Sequence, residues 1–268
     1  MSGPVTLVTG ASSGIGRELA LVAAEESRAV VLAARREGRL EELAGRIRGL
    51  PGAPEAVVVP ADLATREGRE AFLEELAALE ARGLAIDHLV NNAGLGHDGP
   101  FHENDAGREA TTVAVNVVAL HELSRALLPA MVERGYGRVL NVASAAAYQP
   151  LPYMATYAAT KAFVLSLSEA LWREYRGTGV TVTCLAPGRT STEFFDGAGM
   201  EGIAFMKMPA ASAPRVARAG YRGMKEGKRV VIPGFQNRLT AWLASRLPRR
   251  PVLAIAAALF APRGSGTR

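Results

Sequence analysis

Tyr157 and Lys161 stand four residues apart in Tyr157-Ala158-Ala159-Thr160-Lys161, and Ser144 lies thirteen residues upstream. A helix turns once in about 3.6 residues, so a helix over this stretch stacks Tyr157 and Lys161 on one face. A free phenol titrates near ~10 and is a poor base at neutral pH. An ammonium one turn away favours the phenolate and brings the tyrosine toward the working range. Ser144, at the end of an apolar stretch, can then hold a substrate oxygen beside the phenol. The same spacing also describes a surface tyrosine and a solvated lysine, so its meaning rests on what the rest of the chain brings to it.

Residues 5–9 are β-branched and apolar and stop at Gly10, which predicts a buried strand. Gly10-Ala11-Ser12-Ser13-Gly14-Ile15-Gly16 follows, and the pattern predicts a helix over 17–27. Glycines let a backbone approach a pyrophosphate, and a helix N-terminus offers N–H donors with partial positive charge. Gly10, Ser12, Ser13, Gly14, Ile15 and Gly16 are therefore candidate cofactor contacts. A second buried strand at 29–34 runs into Arg35 and Arg36, and Ala34 stands where an NAD-binding unit carries an acid for the adenosine ribose. Arg35 can grip a 2′-phosphate through charge-assisted bonds, so NADP is favoured and NAD is the alternative. Otherwise the two arginines simply open a basic helix over 36–48, with Glu41 and Glu42 as partners.

A third strand over 56–60 ends at Asp62-Leu63, where the aspartate either accepts from an adenine amine or caps the coming helix. That helix, 65–82, is amphipathic through Phe72, Leu73, Leu76 and Leu79. A fourth strand, 88–90, leads into Asn91-Asn92-Ala93-Gly94, whose small residues would let a cofactor lie across the strand ends. One helix is predicted over 109–134; its Asn116 is either a satisfied core amide or a group that bends the helix and holds water toward Lys161. A fifth strand over 137–144 delivers Ser144 to the same edge. The helix 153–176 carrying Tyr157 and Lys161 follows, then a sixth strand at 180–185 and Ala186-Pro187-Gly188. Six uninterrupted alternations predict an α/β fold of three layers, a doubly wound parallel sheet between helices, with 1–268 as a single domain.

These residues closely resemble the short-chain dehydrogenase/reductase family. The likeness rests on residues 9–16, Asp62-Leu63, Asn91-Asn92-Ala93-Gly94, Asn116, Ser144, Tyr157 with Lys161, and Pro187-Gly188, in the family's order. It implies a Rossmann-type sheet of seven parallel strands with NAD(P) at its carboxyl edge, and a catalytic set of Asn116, Ser144, Tyr157 and Lys161. Tyr157 would exchange a proton with the substrate oxygen, Ser144 would polarise that oxygen, Lys161 would lower the tyrosine pKa and bind the nicotinamide ribose, and Asn116 would order a relay water. The family also places Arg35 at the 2′-phosphate; the basic residue some NADP-using members carry inside the glycine turn is absent, since Ser12 and Ser13 occupy it.

Beyond Gly188 the character changes. Thr190 and Thr192 either contact the nicotinamide carboxamide or only cap a helix. Glu193-Phe194-Phe195, Gly197-Ala198-Gly199 and Met200, Phe205, Met206 and Met208 make an adaptable apolar segment, and the resemblance puts a substrate lid at 189–211. A helix from Ser212 to about Glu226 and a seventh strand at 229–232 follow. Residues 234–262 form an apolar helical extension, 235–247 and 252–260, separated by Pro248-Arg249-Arg250-Pro251. With arginines beside it, this tail is expected to pack or join subunits, with an anionic membrane surface or the pocket mouth as alternatives.

Composition is ordinary for a globular core: 49% apolar and 21% charged among 268 residues, with a net charge of +5. The single Cys184 excludes an internal disulfide and fits a reducing cytoplasm. No secretory leader and no uninterrupted apolar run of about 18 residues is seen, and no basic stripe with interleaved aromatics points to nucleic acid. His88, His97, His102 and His121 lack metal-ligand spacing, so no metal is expected; loop and surface places are assigned to them, with His97 and Phe101 near a substrate mouth. The sequence thus reads as an NADP-preferring oxidoreductase interconverting a carbonyl and a secondary alcohol on a hydrophobic small molecule, as a homodimer or homotetramer in the cytoplasm. Two rivals are a nucleotide-sensing regulator on the same fold and a peripheral membrane enzyme acting on a lipid-borne carbonyl.

Overall fold

The computed structural model describes residues 3–194 and 204–261. Its strands are β1 (Val5–Thr9), β2 (Ala29–Ala34), β3 (Glu55–Pro60), β4 (His88–Asn91), β5 (Gly137–Val142), β6 (Val180–Leu185), the two-residue β7 (Thr190–Ser191) and β8 (Ala211–Ser212), and β9 (Val230–Val231). Seven of them form one parallel sheet in the order β3-β2-β1-β4-β5-β6-β9, while β7 and β8 pair separately. The helices are α1 (Gly14–Ala24), α2 (Glu37–Arg48), α3 (Arg66–Ala81), α4 (Ala106–Val113), α5 (Leu120–Glu133), α6 (Ala155–Glu174), α7 (Ala213–Lys225), α8 (Phe235–Arg246) and α9 (Arg249–Phe260).

Parallel strands are covered on both faces, and β1 and β2 are accordingly buried at nearly every position, with Thr6 and Thr9 the polar residues among them. Side chains alternate, so Val8, Val30 and Leu32 pack with Leu19, Leu40, Val216 and Tyr221 of α1, α2 and α7. Leu7, Val31 and Ala33 face the other way, onto Phe72, Leu76, Leu123 and Leu128 of α3 and α5. The order reverses at β1, whose neighbours β2 and β4 carry the chain in opposite directions along the sheet. That reversal opens a crevice at the carboxyl ends of the strands.

Several predicted elements are corrected. The helix at 109–134 is two α-helices joined by a π-helical segment, Ala114–Ala119, with the buried Asn116 inside it. β5 stops at Val142, two residues short, because Ser144 caps a 3₁₀ turn over Ala145–Tyr148 and its Oγ accepts from the Ala146 N–H at 3.1 Å. α9 begins at Arg249 rather than 252, since Pro251 falls in its first turn, where proline costs no helix hydrogen bond. Residues 106–133 are long and apolar enough to cross a membrane, yet Leu123, Leu128 and Met131 are buried in the core against the sheet.

His88 is not a surface residue. It is buried in β4, with Nε2 2.9 Å from the Tyr136 hydroxyl and Nδ1 3.2 Å from that of Tyr221, and burial pushes it down to about 4. An unfolded histidine titrates near ~6.5, so below that pH the unfolded chain takes up a proton that the folded chain refuses. Stability contributed by neutral His88 is present above pH ~6.5 and is lost as pH falls toward 4, by roughly 1.4 kcal/mol per unit. Urea unfolding at stepped pH should show this slope, and His88→Gln should flatten it.

Candidate active site

A cleft of about 640 Å³ runs along the carboxyl edge of the sheet. Its wall includes Gly10, Ser12, Ser13, Gly14, Ile15, Gly16, Arg35, Asp62, Leu63, Asn92, Ala93 and Gly94 at one end. Ser144, Tyr157, Lys161, Pro187, Gly188, Thr190 and Thr192 line the other. Of the residues expected in the catalytic and cofactor-binding sets, all but Asn116 line this wall, and Asn116 lies buried behind it.

The glycine turn is held from below. Asn92 Nδ2 donates to the carbonyls of Thr9 and Gly10 at 3.0 and 3.3 Å, and the Thr9 hydroxyl accepts from the backbone N–H of Asn92 and Ala93. Gly10 has φ +66°, and a Cβ on it would lie 2.8 Å from the Ala93 Cα. At Gly16 a Cβ would run into the Gly10 carbonyl. The helix α1 opens at Gly14, three residues earlier than predicted, and Ser13 makes no capping bond. By contrast Thr65 caps α3 and Asp105 caps α4. The uncapped N–H donors of α1 therefore point into the cleft end with no acidic side chain in the first turn, a ready site for an anion.

Asp62 is not the cap of α3; its Oδ1 accepts from the Ala64 N–H at 3.1 Å and the residue lines the cleft. Arg35 is exposed at the cleft edge and has no hydrogen bond among the described residues. Arg36 is engaged instead: Nε and Nη2 donate to Ser12 Oγ at 3.3 and 3.1 Å, and Nη1 pairs with Glu193 at 3.0 Å. That bond holds the Glu193 carboxyl below its usual range. Sequence reasoning gave Arg36 only helix partners and left Glu193 without one, because 157 residues separate the pair and no local spacing marks it.

At the other end Lys161 Nζ donates to the Val142 carbonyl at 2.9 Å and sits 5.8 Å from the Tyr157 ring centre. Burial pushes Lys161 down to about 8. Burial also raises Tyr157, outweighing the hydrogen bond from Ser144 that lowers it. The expected depression of the phenol by Lys161 is thus not what this structure has: the amine is desolvated and turned to a carbonyl, and both groups are driven toward their neutral forms.

Asn116 is a fully satisfied amide. Its Oδ1 accepts from the Leu95 N–H at 2.8 Å, while Nδ2 donates to the Leu95 carbonyl and to Thr160 Oγ1, both at 2.9 Å. It clamps the strand-end segment to the helix that carries Lys161. A Cβ on Gly94 would lie 3.2 Å from Lys161 Nζ and 3.3 Å from Asn116 Oδ1, so this backbone is pinned between the two side chains. Gly96 lies flat on Tyr157, where a Cβ would come within 2.8 Å of its ring and that of Phe194.

Beyond Tyr157 the wall is apolar, with Leu151, Met154, Phe194, Phe205, Leu259 and Phe260. The rings of Tyr157 and Phe194 are 5.5 Å apart, and Phe205 stacks on Phe260 at 4.8 Å. The extension therefore packs over the cleft, through α8 residues Gln236, Asn237 and Thr240 and the end of α9. Among the described residues Thr190 and Thr192 cap no helix; Thr190 donates to the Gly188 carbonyl, while Thr192 packs against Gly14 and its hydroxyl accepts from the Phe194 N–H at 3.4 Å. Pairing of β7 with β8, and Arg189 donating to the Met208 carbonyl, close the base of the 189–211 segment. Phe195, Gly197, Ala198, Gly199 and Met200 lie outside the described residues. His97 is buried in the cleft wall with Nε2 2.9 Å from Glu109, whereas Phe101 is 66% exposed and does not line it. Among the described residues no cluster of acids, histidines and cysteine is arranged to hold a metal.

A reversal-point crevice with a bare helix N-terminus at one end, and serine, tyrosine and lysine at the other, defines a nicotinamide-nucleotide-dependent oxidoreductase. The chain belongs to the short chain dehydrogenase family, which its residues 4–200 match. A ketoacyl reductase of Nostoc sp. is 29% identical over 248 residues, spanning 92% of this chain and 80% of that protein. A short-chain dehydrogenase of Sphingobium yanoikuyae, solved with NADPH, superposes with a TM-score of 0.79 at 30% identity, over 99% of this chain and 98% of that one. A bulky-bulky ketone specific alcohol dehydrogenase of Comamonas testosteroni reaches 0.74 at 27% identity, over 93% and 97%.

Asn116→Ala would leave the half-buried Leu95 N–H and carbonyl, and the buried Thr160 hydroxyl, without their partner. Urea unfolding should report a loss of roughly 1–2 kcal/mol, since the Leu95 groups at the cleft wall can turn to water.

Proposed function

We propose that this protein reduces a ketone on a bulky apolar molecule to a secondary alcohol, with NADPH preferred over NADH. The observation that carries this reading is the joining, in one cleft, of Arg35 beside a strand end lacking an acid with Tyr157 and Ser144 beneath an apolar roof. The NADPH of the Sphingobium relative and the bulky ketones of the Comamonas relative support it.

The cleft fits the nucleotide, because the glycines leave no Cβ in the way and α1 offers uncapped donors. Gly14, Ile15 and Gly16 would hold the pyrophosphate through their N–H groups, and Arg35 the 2′-phosphate. Asp62 and Leu63 would border the adenine, with Asn92, Ala93 and Gly94 along the ribose side. Pro187, Gly188, Thr190 and Thr192 would position the carboxamide end. When bound, NADPH supplies the hydride that reaches the carbonyl carbon.

Tyr157 is the acid in this direction. Burial keeps the phenol protonated, which is the form able to give a proton to the substrate oxygen. Ser144 Oγ–H donates to the same oxygen and fixes its position. The phenolate left behind lies beside Lys161, whose proton stabilises it and whose ammonium would also bind the nicotinamide ribose. Asn116 acts through Leu95 and Thr160, holding the backbone against which Lys161 is set. The 189–211 segment and the 234–262 extension exclude water from the reacting carbon through Phe194, Phe205 and Phe260.

Tyr157→Phe should reduce turnover by at least about a thousandfold while NADPH binding, followed by nicotinamide fluorescence, changes little. Retained turnover would remove the proton-transfer role. Arg35→Ala should weaken NADPH binding by tenfold or more, on the order of one charge-assisted bond, and leave NADH binding nearly unchanged; equal losses would reverse the cofactor preference.

A further inference from the structure

The helices α8 and α9 each have two different sides. In α8, Asn237, Ala241 and Ala244 face the protein, at the three-to-four residue spacing of one helical stripe. The opposite stripe carries Phe235, Leu239 and Trp242, with Leu243 beside it; Phe235 is 71% and Trp242 57% exposed. In α9 the attached stripe is Val252, Ala256 and Phe260, and Ile255 is 60% exposed. A soluble surface seldom gathers this much aromatic and aliphatic area without a partner.

The charge around this area is one-sided. From Arg229 onward the chain holds seven of its 31 basic residues and none of its 26 acidic ones. Before that point 24 basic residues are outnumbered by 26 acidic ones, so the tail alone makes the protein basic. Arg238, Arg246, Arg249 and Arg250 are exposed, and none pairs with a carboxylate among the described residues. A second copy of the same face would bring arginines against arginines. An anionic lipid surface instead answers both features, taking the apolar stripe below its headgroups and the guanidinium groups among its phosphates.

We infer that α8 and α9 dock this protein on anionic bilayers. The same helices line the apolar half of the cleft through Gln236, Asn237, Thr240 and Phe260, so the docked face adjoins the substrate end. The substrate class is then an apolar ketone that partitions into lipid and enters without crossing bulk water. This rests on the ketone-reductase reading only for the substrate, not for the docking itself.

Flotation of the full chain with vesicles tests it. Binding is expected to phosphatidylglycerol-containing vesicles at low salt, little to pure phosphatidylcholine, and release at about 0.5 M salt, where screening is nearly complete within a few ångström. Arg246→Gln with Arg250→Gln should weaken binding about tenfold or more. Trp242→Ser with Ile255→Ser should do the same, and Trp242 emission should shift to the blue only with lipid. Neither pair touches the cleft, so turnover of a water-soluble ketone should stay at the wild-type level, which keeps failure of docking distinct from failure of the reductase reading. No flotation at low salt, or equal binding to neutral vesicles, would overturn the inference. So would a lipid-free dimer in sedimentation that Trp242→Ser converts to monomer, because the face would then belong to a second copy.

Discussion

The crevice depends on a small knot of hydrogen bonds between the ends of β1 and β4. Thr9 accepts two backbone N–H bonds from Asn92 and Ala93 and donates to the Val90 carbonyl, while Asn92 returns its amide to the Thr9 and Gly10 carbonyls. These are the strands at which the sheet reverses direction, so the knot sets where the two halves of the fold part. It also fixes Gly10 in a left-handed conformation only glycine adopts freely, and from there the chain turns sharply into α1. Everything that meets at the cleft is measured from this point.

A second set of bonds ties the chemistry to that frame. Asn116 reaches from the π-helical segment to Leu95, four residues past the asparagine turn's start, and to Thr160 on α6. A π-helical turn adds one residue to the local ladder, and such turns gather at functional sites. Here the added residue brings an amide into line with a backbone edge that has no strand partner. Lys161 is pinned from the other side by the end of β5 through Val142. Buried groups with fixed partners carry little freedom to lose when a ligand arrives, which suits the proposed role of Lys161 and Tyr157 at set distances from a substrate.

The sequence made the sheet legible because buried parallel strands are short runs rich in apolar and β-branched residues, most of them bounded by glycine, proline or an asparagine turn. The cleft residues were legible because their positions at strand ends follow from that reading. What escaped was long-range or subtle. A π turn has the same composition as an α turn, so 109–134 read as one helix. His88 looked like a loop or surface residue because its partners, Tyr136 and Tyr221, are distant in sequence and only the fold brings them together. The direction in which Tyr157 shifts depends on how deeply it and Lys161 are buried, which spacing alone does not carry. The tail offered several roles from its pattern; the packing of Phe260 on Phe205, with Gln236, Asn237 and Thr240 in the cleft wall, is what shows that one side of it covers the cleft.

The clip between β7 and β8 has a consequence for how such a protein changes over generations. Thr190 pairs with Ala211 and Ser191 with Ser212, so the segment between them leaves and re-enters the body at one place. Closing a loop costs free energy only as the logarithm of its length, about 0.6 kcal/mol for each doubling. With both ends fixed, the intervening residues can lengthen, shorten or alter composition at little thermodynamic cost to the nucleotide half. On the reading proposed above, in which this stretch covers the substrate, substrate range is separable from cofactor use: positions beyond Glu193 can drift toward new molecules while the strand ends, the glycine turn and the tyrosine keep their spacing.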